Sequence, residues 1–418
     1  MTQDERVEDV LRRLAPQVLG ILVHRHRDAH GYSDFARCED AVQEALIAAA
    51  DAWPRTGVPE HPLGWLSTVA ARRYVDLVRA DSARERRERA VLDATPPDAL
   101  VAPAPDEEPV RDDLLELLLL CCHPALTASS QLALTLRAVG GLTTAEIAAA
   151  CLVPEKTMGQ RISRAKQRLR EVGARFEPPP EHEYEQRLHV VLHVLYLMFN
   201  EGYSTSAGSE LRRADLTRPA LHLVRRLHER LPESGEIAGL LALMVLTEAR
   251  SQARTGPGGT LVPLAEQDRS RWDSAAIAEG VDLITQTLAT RPLGPYQVQA
   301  AIAAVHDEAP STEATDWPQI LALFDVLERL APNPVVTLNR AVAVGMVRGP
   351  NEGLALIGEL ESGVLAGSHR LLAVRAHLLE QAGDRTAAAT TFQEAARMAG
   401  SRPEQRFLLR RAAANRTT

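Results

Sequence analysis

The stretch from Leu142 to Arg170 constrains this chain most. With the preceding Gly141 it reads GLTTAEIAAACLVPEKTMGQRISRAKQRLR. Thr143 or Thr144 suits the cap of a helix with apolar face Ile147, Ala148 and Cys151. Glu146 falls in its first turn, where a carboxylate favours the helix dipole. The turn Leu152-Val153-Pro154 follows, and proline is well placed to open a second helix. There Met158, Ile162, Ala165 and Leu169 recur every three to four residues, as a buried stripe does. The other faces carry Lys156, Gln160, Arg161, Arg164, Lys166, Arg168 and Arg170. Such a face suits phosphates and base edges. A basic helix of a bundle, its cations simply solvated, is the alternative. A short turn, a cap and a basic second helix occurring together favour a DNA-binding helix-turn-helix.

These residues resemble region 4 of the extracytoplasmic-function sigma factors. The match runs through Ala145-Glu146-Ile147-Ala148, Val153-Pro154, Thr157-Met158, Arg161, Ser163-Arg164-Ala165 and Leu169-Arg170. Leu152 stands where that family usually has glycine, and Gly159 leaves a gap on the exposed face. The resemblance implies that Lys156, Thr157, Gln160, Arg161, Ser163, Arg164 and Lys166 meet the promoter −35 element.

The rest of the chain fits an all-α reading. Alanine and leucine are abundant, and aromatic residues make up only 4%. The net charge of −8 argues against nucleic acid as a sum, but the charge is patterned. Residues 72–89 and 156–175 are basic, whereas 105–113 are acidic. Cys38, Cys121, Cys122 and Cys151 form no C-x-x-C pair, so buried thiols in a reducing compartment are expected rather than a metal site. No apolar run has membrane-spanning length, and the first residues do not read as a signal peptide, so a cytoplasmic location is expected.

Residues 7–28 carry apolar positions at helical spacing, as a helix pair broken at Pro16 or as one long helix. In residues 35–54, Glu39, Asp40, Gln43, Glu44 and Asp51 make a polar acidic face opposite an alanine-rich one. The string EDAVQEA resembles sigma region 2.2, which docks on the β′ clamp helices of core RNA polymerase. Carried over, Asp40, Gln43 and Glu44 are the polymerase-binding candidates. Residues 54–64 are rich in proline and glycine and read as a surface loop. The following helix resembles regions 2.3 and 2.4, which implies −10 element contacts at Trp65, Arg72, Arg73 and Arg79. Tyr74 is open to two readings, a base-stacking ring or a buried one. The expected organisation is region 2 at 1–92, an acidic, proline-rich linker at 93–112, and region 4 at 113–176. Through the resemblance the linker could imitate RNA phosphates, or it is a plain spacer.

The chain continues far beyond region 4. A helical extension is expected at 177–310, and tetratricopeptide-like repeats at 311–418. Phe324 and Phe392 lie two periods of 34 residues apart, and Gly349 and Gly383 one period apart. Gly358 replaces the phenylalanine of the middle repeat. Strings such as YLMFNEGY, LAEQDRSRWD and GPYQVQAAIAAVHDEA resemble a sigma subgroup with such an extension. Asn200, Glu201, Tyr203, Asp268, Arg271 and Asp273 are its expected contact surface. Asp268, Arg269, Arg271, Asp273, His306, Asp307 and Glu308 could be drawn as a catalytic or metal cluster. No nucleophile motif, glycine-rich phosphate loop or H-E-x-x-H accompanies them, so ion pairs that fix helix packing are expected instead. No enzyme activity, metal or cofactor is expected.

The resulting expectation is a sigma factor with a fused regulatory module. Its partners would be core polymerase, through the β′ clamp helices and the β flap, promoter DNA, and a soluble protein on the repeats, with no membrane. The rivals are a helix-turn-helix regulator or a tetratricopeptide scaffold that works without core polymerase.

Overall fold

The computed structural model describes residues 3–26, 34–89, 114–151, 153–174, 179–205, 211–360 and 365–416. The linker at 93–112, Leu152 and Ser206 lie outside them. Among the described residues the protein is all-α, 77% helical with 18 helices and almost no sheet. It divides into two compact units, Met1–Val194 and Leu195–Thr418. The division falls inside a continuous helix.

In the first unit, α1 (Gln3–Arg25), α2 (Phe35–Thr56) and α3 (Pro62–Arg89) pack on one another. Of the two readings left open, α1 is one helix, with Pro16 inside it. The ring forfeits one backbone hydrogen bond. Val7, Leu11, Leu14, Val18, Leu19 and Leu22 are all buried, and this burial holds both halves in one line. The expected loop at 54–64 shrinks to residues 57–61. Pro54 lies inside the last turn of α2, where Arg55 Nε donates to the Asp51 carbonyl (3.0 Å) and Thr56 Oγ1 to the Ala52 carbonyl (3.0 Å). Pro62 then opens α3, where a missing N–H costs nothing.

Helices α4 (Leu114–Cys121), α5 (Ala128–Ala138), α6 (Thr144–Ala150) and α7 (Glu155–Glu171) build the second part of this unit. Cys121 and Cys122 are buried, and desolvation pushes both thiols up, Cys122 to about 12. They pack as small apolar groups, with Cys122 Sγ 3.7 Å from Thr135 Oγ1.

Helix α8 (Glu181–Tyr203) runs across the division. The second unit continues with α9 (Ala214–Arg230), α10 (Gly235–Ala249) and a short antiparallel hairpin of β1 (Thr255–Gly256) and β2 (Thr260–Leu261). Then come α11 (Ser274–Thr290), α12 (Pro295–Glu308), α13 (Trp317–Leu330), α14 (Pro334–Arg348), α15 (Pro350–Gly358), α16 (His369–Gln381), α17 (Arg385–Met398) and α18 (Arg402–Ala414). Its core is a chain of local clusters, each drawn from neighbouring helices. That is how stacked helices bury apolar surface without one central core. The closest backbone approach is at Gly239 on α10, where a Cβ would lie 2.6 Å from the Gln297 nitrogen of α12. Glu236, one turn earlier, accepts the Tyr296 amide (3.1 Å) and so caps α12. Here the string GPYQVQ has a structural reason, since any side chain at Gly294 would collide with the Glu236 carboxylate.

Candidate nucleic-acid interface

The helix-turn-helix is built from a capping box. Thr143 Oγ1 accepts the Glu146 amide (3.2 Å), while the Glu146 carboxylate accepts the Thr143 amide (2.7 Å) and hydroxyl (2.8 Å). Thr143 is therefore the cap, of the two threonines read as candidates. On α7 the stripe Met158, Ile162, Ala165 and Leu169 is buried. Lys156, Thr157, Gln160, Ser163 and Arg164 are exposed, and Arg161 is half-buried. No side chain caps α7 at Pro154, so Glu155 supplies the negative charge of its first turn.

Lys166 is different. Its ammonium is mostly buried, paired with Glu39 and lying 2.8 Å from Asp40 Oδ1. Glu39 also accepts from Arg137 Nε of α5 at 2.8 Å. The Glu39 side chain is only 1% exposed, which corrects the reading that placed it on a solvated face of α2. The cause is coverage by two cations from α5 and α7, which satisfy both carboxylate oxygens. The periodicity held a signal for this. Glu39 falls in register with Phe35, Val42, Ala49 and Trp53, which are all buried. Further along, Arg170 Nη2 reaches Asp34 Oδ1 (3.3 Å). Between α2 and α7 lies a cleft of about 700 Å³, lined among others by Asp40, Arg137, Gly159, Lys166 and Arg170.

Asp40 and Glu44 keep exposed side chains and Gln43 is half-buried. Glu44 Oε2 stands 3.5 Å from Arg73 Nε, so one polymerase candidate and one −10 candidate share an ion pair. Arg72 and Arg79 are exposed on α3. Trp65 is half-buried and packs edge-on against Trp53, with centroids 5.6 Å apart. The Tyr74 ring stacks on His26 at 3.9 Å and is half-buried, and burial raises its hydroxyl pKa and lowers that of His26.

In the second unit the suggestive charged strings have local structural tasks. Asp268 accepts from the Ser270 amide (3.0 Å) and hydroxyl (2.6 Å). Asp273 caps α11 through the Ala275 and Ala276 amides. Arg271 is exposed. Arg269 lies over Trp272 and donates to the His306 and Ala309 carbonyls (2.7 Å each). Arg250 Nη1 reaches Asp307 Oδ1 at 3.2 Å, and His306 sits edge-on to Trp317. Tyr203 lies under Arg254, which donates to the Tyr203 carbonyl and to Ser204 Oγ. Asn200 and Glu201 are half-buried beside it. Sequence reasoning missed Arg250 and Arg254, because nothing in their local strings marks a partner so distant in the chain.

This geometry accords with the comparisons. Residues 10–84 match sigma-70 region 2, and residues 116–169 match sigma-70 region 4. Residues 187–288 match a family of unknown function, DUF6596. No solved structure matches the chain. An uncharacterized protein of Rhizobium meliloti (strain 1021) is 40% identical over 98% of this chain and 95% of its own length. The chain belongs to the family of that rhizobial protein. It carries sigma-70 regions 2 and 4 ahead of the DUF6596 domain, and region 4 contains the capping box and α7. Among the described residues no helix is long and apolar enough to cross a membrane.

Proposed function

We propose that the chain is a sigma factor of the extracytoplasmic-function type, which binds core RNA polymerase and directs promoter-specific initiation. The observation that carries this is α7. Its apolar stripe is buried, Lys156, Thr157, Gln160, Ser163 and Arg164 are exposed, and the same chain holds a region 2 with exposed carboxylates at Asp40 and Glu44. A regulator acting without polymerase needs no docking face on α2. Asp40, Gln43 and Glu44 meet the β′ clamp helices. Arg72, Arg73 and Arg79, with Trp65 behind them, meet the −10 element. Lys156, Thr157, Gln160, Arg161, Ser163, Arg164 and Lys166 serve the −35 element.

The second unit is a fused regulatory module. Its last six helices read as tetratricopeptide-like pairs. Gly349 joins α14 to α15 and Gly383 joins α16 to α17, both at positive φ, where a side chain would be strained. Phe392 is buried in the cluster of α16, α17 and α18, and Phe324 packs against that of α12, α13 and α14. Such stacks suit a soluble protein partner.

Substituting Arg164 by alanine tests the −35 assignment. It is expected to cost about 1–3 kcal/mol of promoter binding and to relax sequence preference if the guanidinium meets a base. Binding measured across a set of −35 variants reads this. An equal loss on every duplex would instead make Arg164 a phosphate contact.

A further inference from the structure

The last helix carries a charge pattern that neither its own stability nor its packing requires. The exposed positions of α18 are Arg402, Arg406, Leu409, Arg410, Ala413 and Ala414, with Arg416 exposed just past its end. No carboxylate is exposed among them. A spacing of four and three puts Arg402, Arg406, Leu409, Ala413 and Arg416 along one face, with Arg410 at its border. Among the described residues none of these four guanidinium groups pairs with a carboxylate, and Arg410 donates to the Leu261 carbonyl at 3.1 Å. The half-buried Arg411, by contrast, is held by Glu266 and Glu380.

A helix that ends a stack needs a polar outer face, which either sign of charge supplies. A helix dipole favours cations in the last turn but not in the first, where Arg402 stands. Residues 368–418 hold nine arginines against four carboxylates, in a chain whose net charge is −8. A stripe of one sign, closing an acidic chain, suits a polyanion. We propose that α18 is a second DNA contact, separate from α7, which grips duplex phosphates without reading sequence. The choice of duplex DNA rests on the region 4 reading above. A chain held on DNA by one helix keeps that polyanion at high local concentration for another. Arginine donates in a fork that matches phosphate oxygens. Helix α18 is about 20 Å long, the axial length of about six phosphates of one strand. An anionic membrane fits less well, since an interfacial helix buries a broad apolar face and the large apolar side chain exposed on α18 is Leu409.

The test is the salt dependence of binding. Full-length wild type, the triple variant Arg402→Gln, Arg406→Gln, Arg416→Gln, and the matching triple lysine variant are titrated onto a long mixed-sequence duplex at several salt concentrations. All three sites are exposed, and circular dichroism verifies that the helices remain. Each lost phosphate contact lowers the slope of log affinity against log salt by about 0.9, so the glutamine variant is expected to lose about 2 to 3 from it. The lysine variant is expected to keep the wild-type slope. An unchanged slope in the glutamine variant overturns the proposal, as does an equal loss in the lysine variant, which would assign the arginines to packing. A loss seen on single-stranded RNA or on phosphatidylglycerol vesicles but not on duplex DNA overturns it in favour of that surface. Loss of retention by core polymerase in the glutamine variant, with an unchanged duplex slope, overturns it in favour of a protein contact. Failure of the wild type to co-elute with core counts against the sigma reading alone, because the duplex slopes are measured without polymerase.

Discussion

Substituting both Asp40 and Glu44 by lysine is expected to abolish retention of this chain by core RNA polymerase. Both side chains are exposed on α2, so the change touches little of the core under them. Where a partner surface attracts these carboxylates, two reversals turn attraction into repulsion, which costs several kcal/mol, or about a thousandfold or more in Kd. The internal cost is small by comparison. Lysine at 44 meets Arg73 across an exposed gap, where solvent screens like charges. Lysine at 40 meets Lys166, which still has Glu39. Co-elution from a sizing column, with circular dichroism to verify helix content, reads the outcome. Normal co-elution would remove α2 from the polymerase interface.

The second large effect concerns the Asp307–His306 pair at the end of α12. Burial raises the Asp307 carboxyl to about 7, against the pull of Arg250 and Arg269 and with a small push from Glu308. Burial also lowers the His306 imidazole to about 4, helped by the same two arginines. The two act in opposite senses. Between about pH 4 and 6.5 the folded state holds a proton on Asp307 that the unfolded state has lost, so rising pH destabilises. Across the same window the unfolded state holds a proton on His306 that the folded state lacks, so rising pH stabilises. Folded and unfolded states therefore carry equal protons on this pair, and its pH dependence cancels. Single variants uncover each half. Asp307→Asn is expected to gain about 3 kcal/mol in stability as pH rises from 4 to 6.5. His306→Gln is expected to lose a similar amount, about 3 kcal/mol, across that window. Hydrogen-exchange protection of the α12 amides, corrected for intrinsic rates, measures this locally. Two variants that track the wild type at every pH would show that neither group changes its proton affinity on folding.

Much of the first unit is legible in its residues. Met158, Ile162, Ala165 and Leu169 declare a helix face by spacing alone, and Thr143 with Glu146 declares the start of α6. What escaped has a common cause. Pro54 reads as the start of a loop, and Pro16 leaves a break open, because a local rule penalises proline, yet packing of the flanking turns outweighs one lost hydrogen bond. Glu39 reads as solvated because charge outranks register in such a reading, although its register is that of the buried stripe. Its partners Arg137 and Lys166 lie 98 and 127 residues away, beyond the reach of any local pattern. The same distance hid the Arg250–Asp307 pair, although the general expectation of ion pairs between stacked helices describes it well. The motif marks Lys166 as a DNA-contact candidate, and no motif reports its pairing with an acidic helix elsewhere in the chain.

Run-off transcription with purified core polymerase tests the central claim most directly. Full-length protein is added to core on a library of genomic fragments, and the 5′ ends of the RNAs are mapped. The account predicts discrete start sites that appear only when core and this chain are both present, with a shared sequence pair upstream. It also predicts that the Asp40→Lys, Glu44→Lys double variant yields none of them. Transcripts indistinguishable from those of core alone, from a chain that still shifts duplex DNA, would contradict it and leave a DNA-binding regulator that works without polymerase.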